Sequence, residues 1–175
     1  MKSIVLAGGC FWGVEHYFKM VPGVKKTTVG YINGNYKFPT YDMVITGITG
    51  HTECCKIEYD TKETNILILL EHFFFITDPT TLNKQGADTG TQYRSGVYSY
   101  DQEDVNLTRE YINVVQECYN EPIVVEAELA QEFWDAEEYH QNYLVTNPTG
   151  YCHIMPYKYK LVNKVDQNAR NQFCK

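Results

Sequence analysis

The stretch SIVLAGGCFWGVEHYF (residues 3–18) joins a short apolar run to a helical pattern through two glycines. The apolar run SIVLAG (3–8) ends at glycine, which predicts a short buried strand. The following residues repeat at the spacing of one helix face, on which lie Phe11, Val14 and Phe18. We therefore predict a helix that begins near Cys10 and ends at the turn 21–23, which contains proline and glycine. A cysteine thus lies where a strand leads into a helix.

The rest of the chain continues to alternate strands with helices. Further strands are predicted at 24–32, 53–59, 93–100 and 123–129, and further helices at 65–76, 101–119 and 136–144. From residue 145 onward the regular pattern fades into a tail. This order predicts an α/β or α+β fold with a crossover through the helix between the third and fourth strands. The length favours one catalytic domain over 1–175, with its core at about 3–152 and an irregular tail over 153–175.

Composition and charge argue against several classes of function. The net charge of −7, without any run of Lys or Arg, argues against nucleic acid or an anionic membrane as a partner. The most apolar run, ILILLEHFFFI (66–76), is interrupted by Glu71 and His72 and is shorter than the ~20 residues of a membrane span. The apolar run at 4–7 is too short for the core of a signal peptide, so we expect a cytoplasmic protein.

Six cysteines raise the question of disulfides and metal binding. They are Cys10, Cys54, Cys55, Cys118, Cys152 and Cys174. In a chain with a full core and no predicted signal peptide, cysteines are more often free, buried or catalytic than part of a disulfide framework. No C-x-x-C pair and no zinc-ligand spacing occurs, and the two half-sites are isolated: His51-x-x-Cys54 and Glu137-x-x-His140. We therefore expect no metal and no bound cofactor.

Cys10 is the first candidate for a reactive residue. The amide groups at a helix N-terminus favour an anion, so this position predicts a lowered thiol pKa and a larger thiolate fraction. Gly8 and Gly9 permit a ligand to approach the backbone closely. The alternative is that Cys10 is a small buried residue in a tight strand-to-helix turn.

Glu53 and the loop DPTTLNKQGADTGTQYRSGVY (78–98) are the other candidates. Glu53 lies on the apolar-facing side of the strand 53–59, where a carboxyl group is costly to ionise. Its pKa should rise, so that it holds a proton at neutral pH and can donate it. The alternative is a salt-bridged residue at the end of the strand. The loop offers Asp88 and Tyr93 as hydrogen-bonding groups, and it is either a binding loop or a solvated connector.

Five blocks of the sequence occur together in an order typical of one enzyme family. The blocks are GGCFWGVE (8–15), GHTECCKIEYD (50–60), the loop at 78–98, FWDAEEYHQNYL (133–144) and NPTGYC (147–152). They resemble the class A peptide methionine sulfoxide reductases, and they cover roughly residues 3 to 152. The resemblance implies a two-layer, ferredoxin-like fold with a mixed sheet and irregular additions. It also implies reduction of the S epimer of methionine sulfoxide, free or in proteins.

The resemblance implies a substrate pocket built from matched residues. Phe11 and Trp12 correspond to the apolar pocket for the S-methyl group, where aromatic rings favour contact with sulfur and methyl groups. Tyr41 and Tyr93 correspond to the groups that hydrogen-bond the sulfoxide oxygen. Asp88 corresponds to an aspartate that lines the site and binds the substrate backbone or a site water. The S epimer would then direct its oxygen toward the acid, whereas the other epimer would bury its oxygen without a partner.

The resemblance further implies a mechanism that uses Cys10 and Glu53. The Cys10 thiolate attacks the sulfoxide sulfur while Glu53 protonates the oxygen. Methionine departs and Cys10 becomes a sulfenic acid. A second thiol condenses with the sulfenic acid to form a disulfide, which an external reductant, usually thioredoxin in the family, reduces again.

The second thiol is the point at which this chain departs from the family. Many members follow the GYC block with a glycine-rich tail that carries a further cysteine, whereas here the block is followed by HIMPYKYKLVN. Cys152 matches the family's resolving block and follows a turn set by Pro148 and Gly150, so we favour it as the resolving cysteine. Cys174, next to the last residue, is the alternative as a resolving or relay cysteine. A third possibility is direct attack on the sulfenic acid by an external thiol.

Two other functions compete with this interpretation. A cysteine hydrolase or acyltransferase would need a histidine oriented as a base, and it would pass through an acyl thioester. A non-catalytic module would bind methylated or oxidised side chains in an aromatic pocket, and Cys10 would then be dispensable.

Overall fold

The computed structural model describes residues 1–165, and Cys174 lies outside the described residues. The strands are β1 (Lys2–Ala7), β2 (Val24–Ile32), β3 (Thr52–Tyr59), β4 (Lys84–Gln85), β5 (Asp88–Thr89), β6 (Gly96–Ser99), β7 (Glu126–Leu129) and β8 (Trp134–Asp135). The helices are α1 (Phe11–Phe18), α2 (Tyr41–Val44), α3 (Ile66–Ile76), α4 (Gln102–Val115), α5 (Tyr143–Thr146) and α6 (Pro156–Lys160). The predicted alternation of strands and helices is confirmed through α4.

Six of the strands form one mixed sheet in the order β7-β6-β1-β3-β2-β8. β1 is antiparallel to both of its neighbours, β3 and β6, and β2 is antiparallel to β3. Because β1 lies between β3 and β6, the chain from β3 through α3 to β6 passes over β1, which confirms the predicted crossover. β6 and β7 are parallel, and α4 supplies the long connection that parallel neighbours need. The mixed α/β fold is thereby confirmed.

The two faces of the sheet are covered unequally. On one face, Ile4 and Leu6 of β1 pack in the main hydrophobic cluster with side chains of α1, α3 and α4. Val5 and Ala7 alternate to the other face, where a smaller cluster also contains Cys54. The helices therefore form the second layer on one side of the sheet.

The block at 136–144 is not one helix, and that prediction is wrong. A 3-10 turn covers Glu138–His140, Asn142 has a left-handed backbone with φ 57°, and α5 begins only at Tyr143. Contacts with distant residues replace the helical hydrogen bonds here. The Gln141 amide bonds both the N–H (3.0 Å) and the C=O (2.9 Å) of Val29 on β2, and the Glu15 carboxylate accepts the Asn142 N–H at 2.8 Å.

The tail is more regular than its sequence pattern indicates. Pro156 occupies the first turn of α6, where a missing N–H costs little, and a 3-10 turn follows at Val162–Lys164. Three tail residues are buried in the main cluster: Ile154, Val162 and Val165. The described part of the tail therefore packs on the same core as α1 and α3. The strands predicted at 93–100 and 123–129 are shorter in the structure, as β6 and β7.

Candidate active site

Cys10 lies in the turn between β1 and α1. Gly9 has φ +84°, a conformation that favours glycine, and Cys10 is the residue that precedes the first turn of α1. The Cys10 side chain is 7% exposed. The strand-to-helix position predicted for this cysteine is confirmed, and the side chain is more buried than a freely accessible thiol.

Glu53 of β3 reaches the same turn. It pairs with Tyr31 in the β2–β3 ladder, is 1% exposed, and its Oε2 accepts the Phe11 N–H at 3.1 Å. Burial raises the pKa of Glu53, the bond from Phe11 opposes the rise and the Asp88 charge adds to it, and the resulting pKa is about 8. The expected raised pKa is found, and Glu53 is mainly protonated at neutral pH.

The expected lowering of the Cys10 pKa is wrong for the resting site. Burial raises the pKa of the Cys10 thiol well above its usual value, and a charge on Glu53 raises it further. The start of α1 opposes this only through the Trp12 backbone N–H, because the neighbouring Phe11 N–H is bonded to Glu53. At neutral pH the thiol and the carboxyl group therefore both carry their protons.

Tyr41 and Tyr93 lie around this pair. Burial raises the pKa of Tyr41 to about 12, with further contributions from charges on Glu53 and Cys10. Burial also raises the pKa of Tyr93, and a charge on Glu53 is the next cause. Both phenols therefore keep their O–H at neutral pH and remain hydrogen-bond donors beside the acid and the thiol.

The loop at 78–98 packs against the Cys10 turn. The Gln85 amide accepts the Asp78 N–H (2.9 Å) and donates to the Asp78 C=O (2.6 Å) and to Ser95 Oγ (3.0 Å). Gln85 also lies so close to Gly9 that a Cβ there would be 2.6 Å from the Gln85 Cβ. Asp88 follows in the β4–β5 hairpin, and its Oδ2 accepts the Tyr151 O–H at 3.0 Å. The solvated-connector alternative is therefore not favoured.

Trp12 and Phe11 differ in their surroundings. Trp12 is half-buried, its ring stacks on Tyr143 at 3.7 Å, and its Nε1–H donates to His140 Nδ1 at 3.1 Å. Phe11 is 1% exposed and contacts the rings of Tyr31 and His140. Trp12 therefore offers a fixed aromatic surface near the turn, whereas Phe11 belongs to the core below it.

Glu137 holds two tyrosines of this region, Tyr31 and Tyr41, through hydrogen bonds. Its carboxylate accepts the Tyr31 O–H at 2.7 Å and the Tyr41 N–H at 2.8 Å. The sequence did not assign a role in this site to the supporting residues, which are Gln85, Glu137, His140, Tyr143 and Tyr151; Glu137 and His140 were considered only as an isolated metal half-site. All five lie inside the matched blocks, but several of their partners are about a hundred positions away, so local spacing gives no signal for these contacts.

Cys152 lies beside α1. A Cβ on Gly13 would be 3.0 Å from Cys152 Sγ, so the missing side chain at Gly13 allows this approach. A negative charge on Cys152 would raise the pKa of Cys10. Both cysteines are free in this structure.

Several arrangements that other functions require were not found in residues 1–165. No histidine nitrogen within this range is hydrogen-bonded to the Cys10 thiol, and no three metal-ligating side chains come together there. No helix in this part of the chain is long and apolar enough to cross a membrane.

Comparison with known proteins decides the family. The family model described as peptide methionine sulfoxide reductase matches residues 2–172. The chain belongs to this family. A peptide methionine sulfoxide reductase MsrA from Clostridium acetobutylicum is 52% identical over 154 residues, which are 88% of this chain and 95% of the relative. The family reaction is the thiol-dependent reduction of methionine sulfoxide, and the hydrolase and the binding module are not favoured.

Solved structures agree with this assignment. The reduced form of Mxr1 from Saccharomyces cerevisiae superposes with a TM-score of 0.84 at 37% identity, over 88% of this chain and 91% of that one. Mxr1 in complex with Trx2 superposes with a TM-score of 0.59 at 28% identity, over 81% of this chain and 84% of that one. The fold is therefore that of the family.

Proposed function

We propose that this chain, acting as one catalytic domain, reduces the S epimer of methionine sulfoxide, free or in proteins, with Cys10 as nucleophile and Glu53 as acid. The observation that carries the proposal is the bond from the Phe11 N–H to Glu53 Oε2. It fixes a buried, protonated carboxyl group against the residue that follows the nucleophile. A thiol in this turn and an acid that reaches it from β3 are the two groups that removal of a sulfoxide oxygen requires.

The two protons of the resting site suit this reaction. Glu53 gives its proton to the sulfoxide oxygen as Cys10 Sγ attacks the sulfur, and the thiol proton of Cys10 passes to the carboxylate that Glu53 has become. The S–O oxygen is transferred to Cys10, which becomes a sulfenic acid, and the sulfoxide is reduced to methionine. A charge on Glu53 would raise the pKa of Cys10 further, so the neutral acid and the neutral thiol occur together in the resting site.

The aromatic residues provide the basis for epimer selection. Trp12 offers an apolar surface for the methyl group, while Tyr41 and Tyr93 offer O–H donors for the oxygen. We assign Asp88, bonded to Tyr151, to the substrate backbone or a site water. An R epimer bound with its methyl group on Trp12 would direct its oxygen away from these donors and leave it unpaired.

Trp12→Ala should reduce both rate and stereoselectivity. With racemic methionine sulfoxide and dithiothreitol, we expect the wild type to consume only the S epimer, measured by chiral chromatography. The variant should lose about 10–200-fold in kcat/KM, the range for an altered apolar pocket, and its S preference should weaken. Trp12→Phe keeps an aromatic ring, so its kcat/KM and its S preference should lie between those of the wild type and those of Trp12→Ala. An unchanged S preference with only a lowered Tm would assign Trp12 to packing alone, and consumption of the R epimer by the wild type would contradict the proposed specificity.

We propose Cys152 as the resolving cysteine and thioredoxin as the external reductant. The placement of Cys152 beside Gly13 of α1 supports its assignment as the resolving cysteine. The complex of the yeast relative Mxr1 with Trx2 supports thioredoxin as the reductant. A dithiol reductant of this kind acts in a reducing compartment, which agrees with the expected cytoplasmic location. Cys174 remains the alternative resolving or relay cysteine and lies outside the described residues.

Cys152→Ser should separate the two reductants. The variant should still release about one methionine per enzyme without reductant, because that step needs only Cys10 and Glu53. With dithiothreitol it should continue to turn over, whereas with thioredoxin its turnover should collapse, because no protein disulfide forms. Peptide mass mapping after one turnover should find a Cys10–Cys152 bridge in the wild type and in Cys174→Ser. A Cys10–Cys174 bridge, or a lasting sulfenic acid on Cys10, would overturn the assignment.

A further inference from the structure

Tyr159 of α6 meets Cys152 directly. Its phenol oxygen is 2.9 Å from Cys152 Sγ and 3.4 Å from the Gly13 C=O. The thiol has a second partner in the Ile154 C=O at 3.6 Å. An arrangement in which the S–H points to Ile154 and the phenol O–H points to Sγ satisfies both groups.

Tyr159 is held in place by neighbouring rings of α1. Its ring lies edge-on to His16 at 5.2 Å between centroids and tilted to Tyr17 at 6.0 Å. Burial raises the pKa of Tyr159, and a charge on Cys152 would raise it further. The side chain is therefore a neutral phenol that can donate a hydrogen bond but does not itself take up the role of a base.

We propose that Tyr159 is the positioning residue of the resolving step: it holds Cys152 Sγ beside Gly13, and its O–H stabilises the Cys152 thiolate that attacks oxidised Cys10. The inference rests on the proposed function, because it needs Cys152 to be the resolving thiol. It adds a role for the segment HIMPYKYKLVN, which the matched blocks do not include.

The step is balanced as a condensation of a thiol with a sulfenic acid. Cys152 loses its proton, and the thiolate attacks Cys10 Sγ. The S–S bond forms as the S–O bond of the sulfenic acid breaks, and the departing hydroxide takes up a proton to leave as water. Cys152 is oxidised and the sulfenic sulfur is reduced, so no further oxidant is required.

Other ionisable groups face Cys152 from the elements packed around it. They are Cys10 and His16 of α1, Asp88 through its bond to Tyr151, and His153, whose Nε2 lies 2.9 Å from the Gly8 C=O. Among the described residues only Tyr159 has a side-chain hydrogen-bonding atom in contact with Cys152 Sγ. A cavity of about 590 Å³, lined in part by His16, Cys152 and Tyr159, lies beside the pair and gives the thiol room to move.

The test compares Tyr159→Phe with Tyr157→Phe. Tyr157 lies in the same helix but is 54% exposed, so its variant is a matched control. Each enzyme receives methionine sulfoxide without reductant, and rapid quench with mass spectrometry follows the methionine released and the Cys10–Cys152 bridge from pH 6.5 to 9.5. In Tyr159→Phe we expect bridge formation about tenfold slower near pH 7, because the thiolate loses a hydrogen bond. The loss should shrink toward pH 9.5, because hydroxide can then remove the thiol proton directly. The methionine burst should not change.

The possible results distinguish an error in the role of Tyr159 from an error in the assignment of Cys152. Bridge formation in Tyr159→Phe at the wild-type rate, or slowed equally at every pH, would overturn the role of the phenol while leaving Cys152 as the resolving thiol. A wild type that forms no Cys10–Cys152 bridge would refute the resolving assignment in the proposed function and this inference with it. If Tyr159→Phe has a lowered Tm or a smaller burst, 3-fluorotyrosine at position 159 keeps the ring and is a stronger donor. Bridge formation near pH 7 should then be faster than in the wild type, and a rate equal to that of the wild type would refute the inference.

Discussion

Cys10→Ser should abolish methionine sulfoxide reduction at every pH while the fold is kept. A serine hydroxyl does not form a stable sulfenic-type intermediate with the transferred oxygen, so the route through Cys10 is closed. Loss of a nucleophile that no other group replaces can reach the order of 10⁶ in rate, and we expect no methionine release above the uncatalysed background. The single-turnover release of methionine without reductant is the direct measurement, because it does not depend on any resolving thiol.

Cys54→Ser is the matched control for this variant. Cys54 is also a buried cysteine close to Glu53 in sequence, but its thiol donates to the Gly30 C=O at 3.3 Å on the other face of the sheet. A serine there can keep that bond, so methionine release should remain. Turnover by Cys10→Ser, or equal loss in both variants, would contradict the assignment of Cys10 as nucleophile.

Glu53→Gln should lower the single-turnover rate by about 10²–10⁴-fold, the range typical of general acid catalysis. The glutamine oxygen can still accept the Phe11 N–H, so the turn should be preserved, but an amide cannot transfer a proton to the sulfoxide oxygen. Glu53→Ala should be slower still, because it also leaves the Phe11 N–H without its buried acceptor.

The pH profile provides a second signature of Glu53. Its pKa is raised to about 8, so the acid form is present below that pH and is lost as the pH rises through it. The single-turnover rate of the wild type should therefore fall above about pH 8, and this fall should be missing in Glu53→Gln. Glu58→Gln is the control on the same strand, because Glu58 is partly exposed and pairs with Lys26. An unchanged rate and profile in Glu53→Gln would show that the carboxyl group is only structural.

Sequence patterns predicted the parts of the fold that depend on local periodicity. The strand before Cys10, the strand that carries Glu53 and the helix at 65–76 all lie within about two residues of their predicted bounds. Glu53 was also found from its position on the apolar-facing side of its strand, because burial of a carboxyl group alone is enough to raise its pKa. The proposed nucleophile and the proposed acid were therefore accessible to reasoning from single residues.

The remaining features depend on contacts between distant segments. The Cys10 pKa was predicted in the wrong direction, because the sequence does not reveal that Glu53 occupies the Phe11 N–H or that the thiol is buried. The block at 136–144 was predicted as one helix, because its bonds to Val29 and Glu15 are not encoded in local spacing. Tyr159 was not predicted for the same reason, since its partner Gly13 lies 146 positions earlier.

The position of β1 in the middle of the sheet has a consequence for how the enzyme is made. β1 precedes both of its partners, β3 and β6, in the chain, so both of its edges stay unpaired until segments up to about ninety residues later are synthesised. Cys10 is synthesised next to that unpaired strand, before Glu53 exists to bond the Phe11 N–H of the same turn. Each new molecule therefore passes through a period in which Cys10 exists without Glu53 and without Cys152. An oxidant present during synthesis would therefore meet the Cys10 thiol before the fold has buried it.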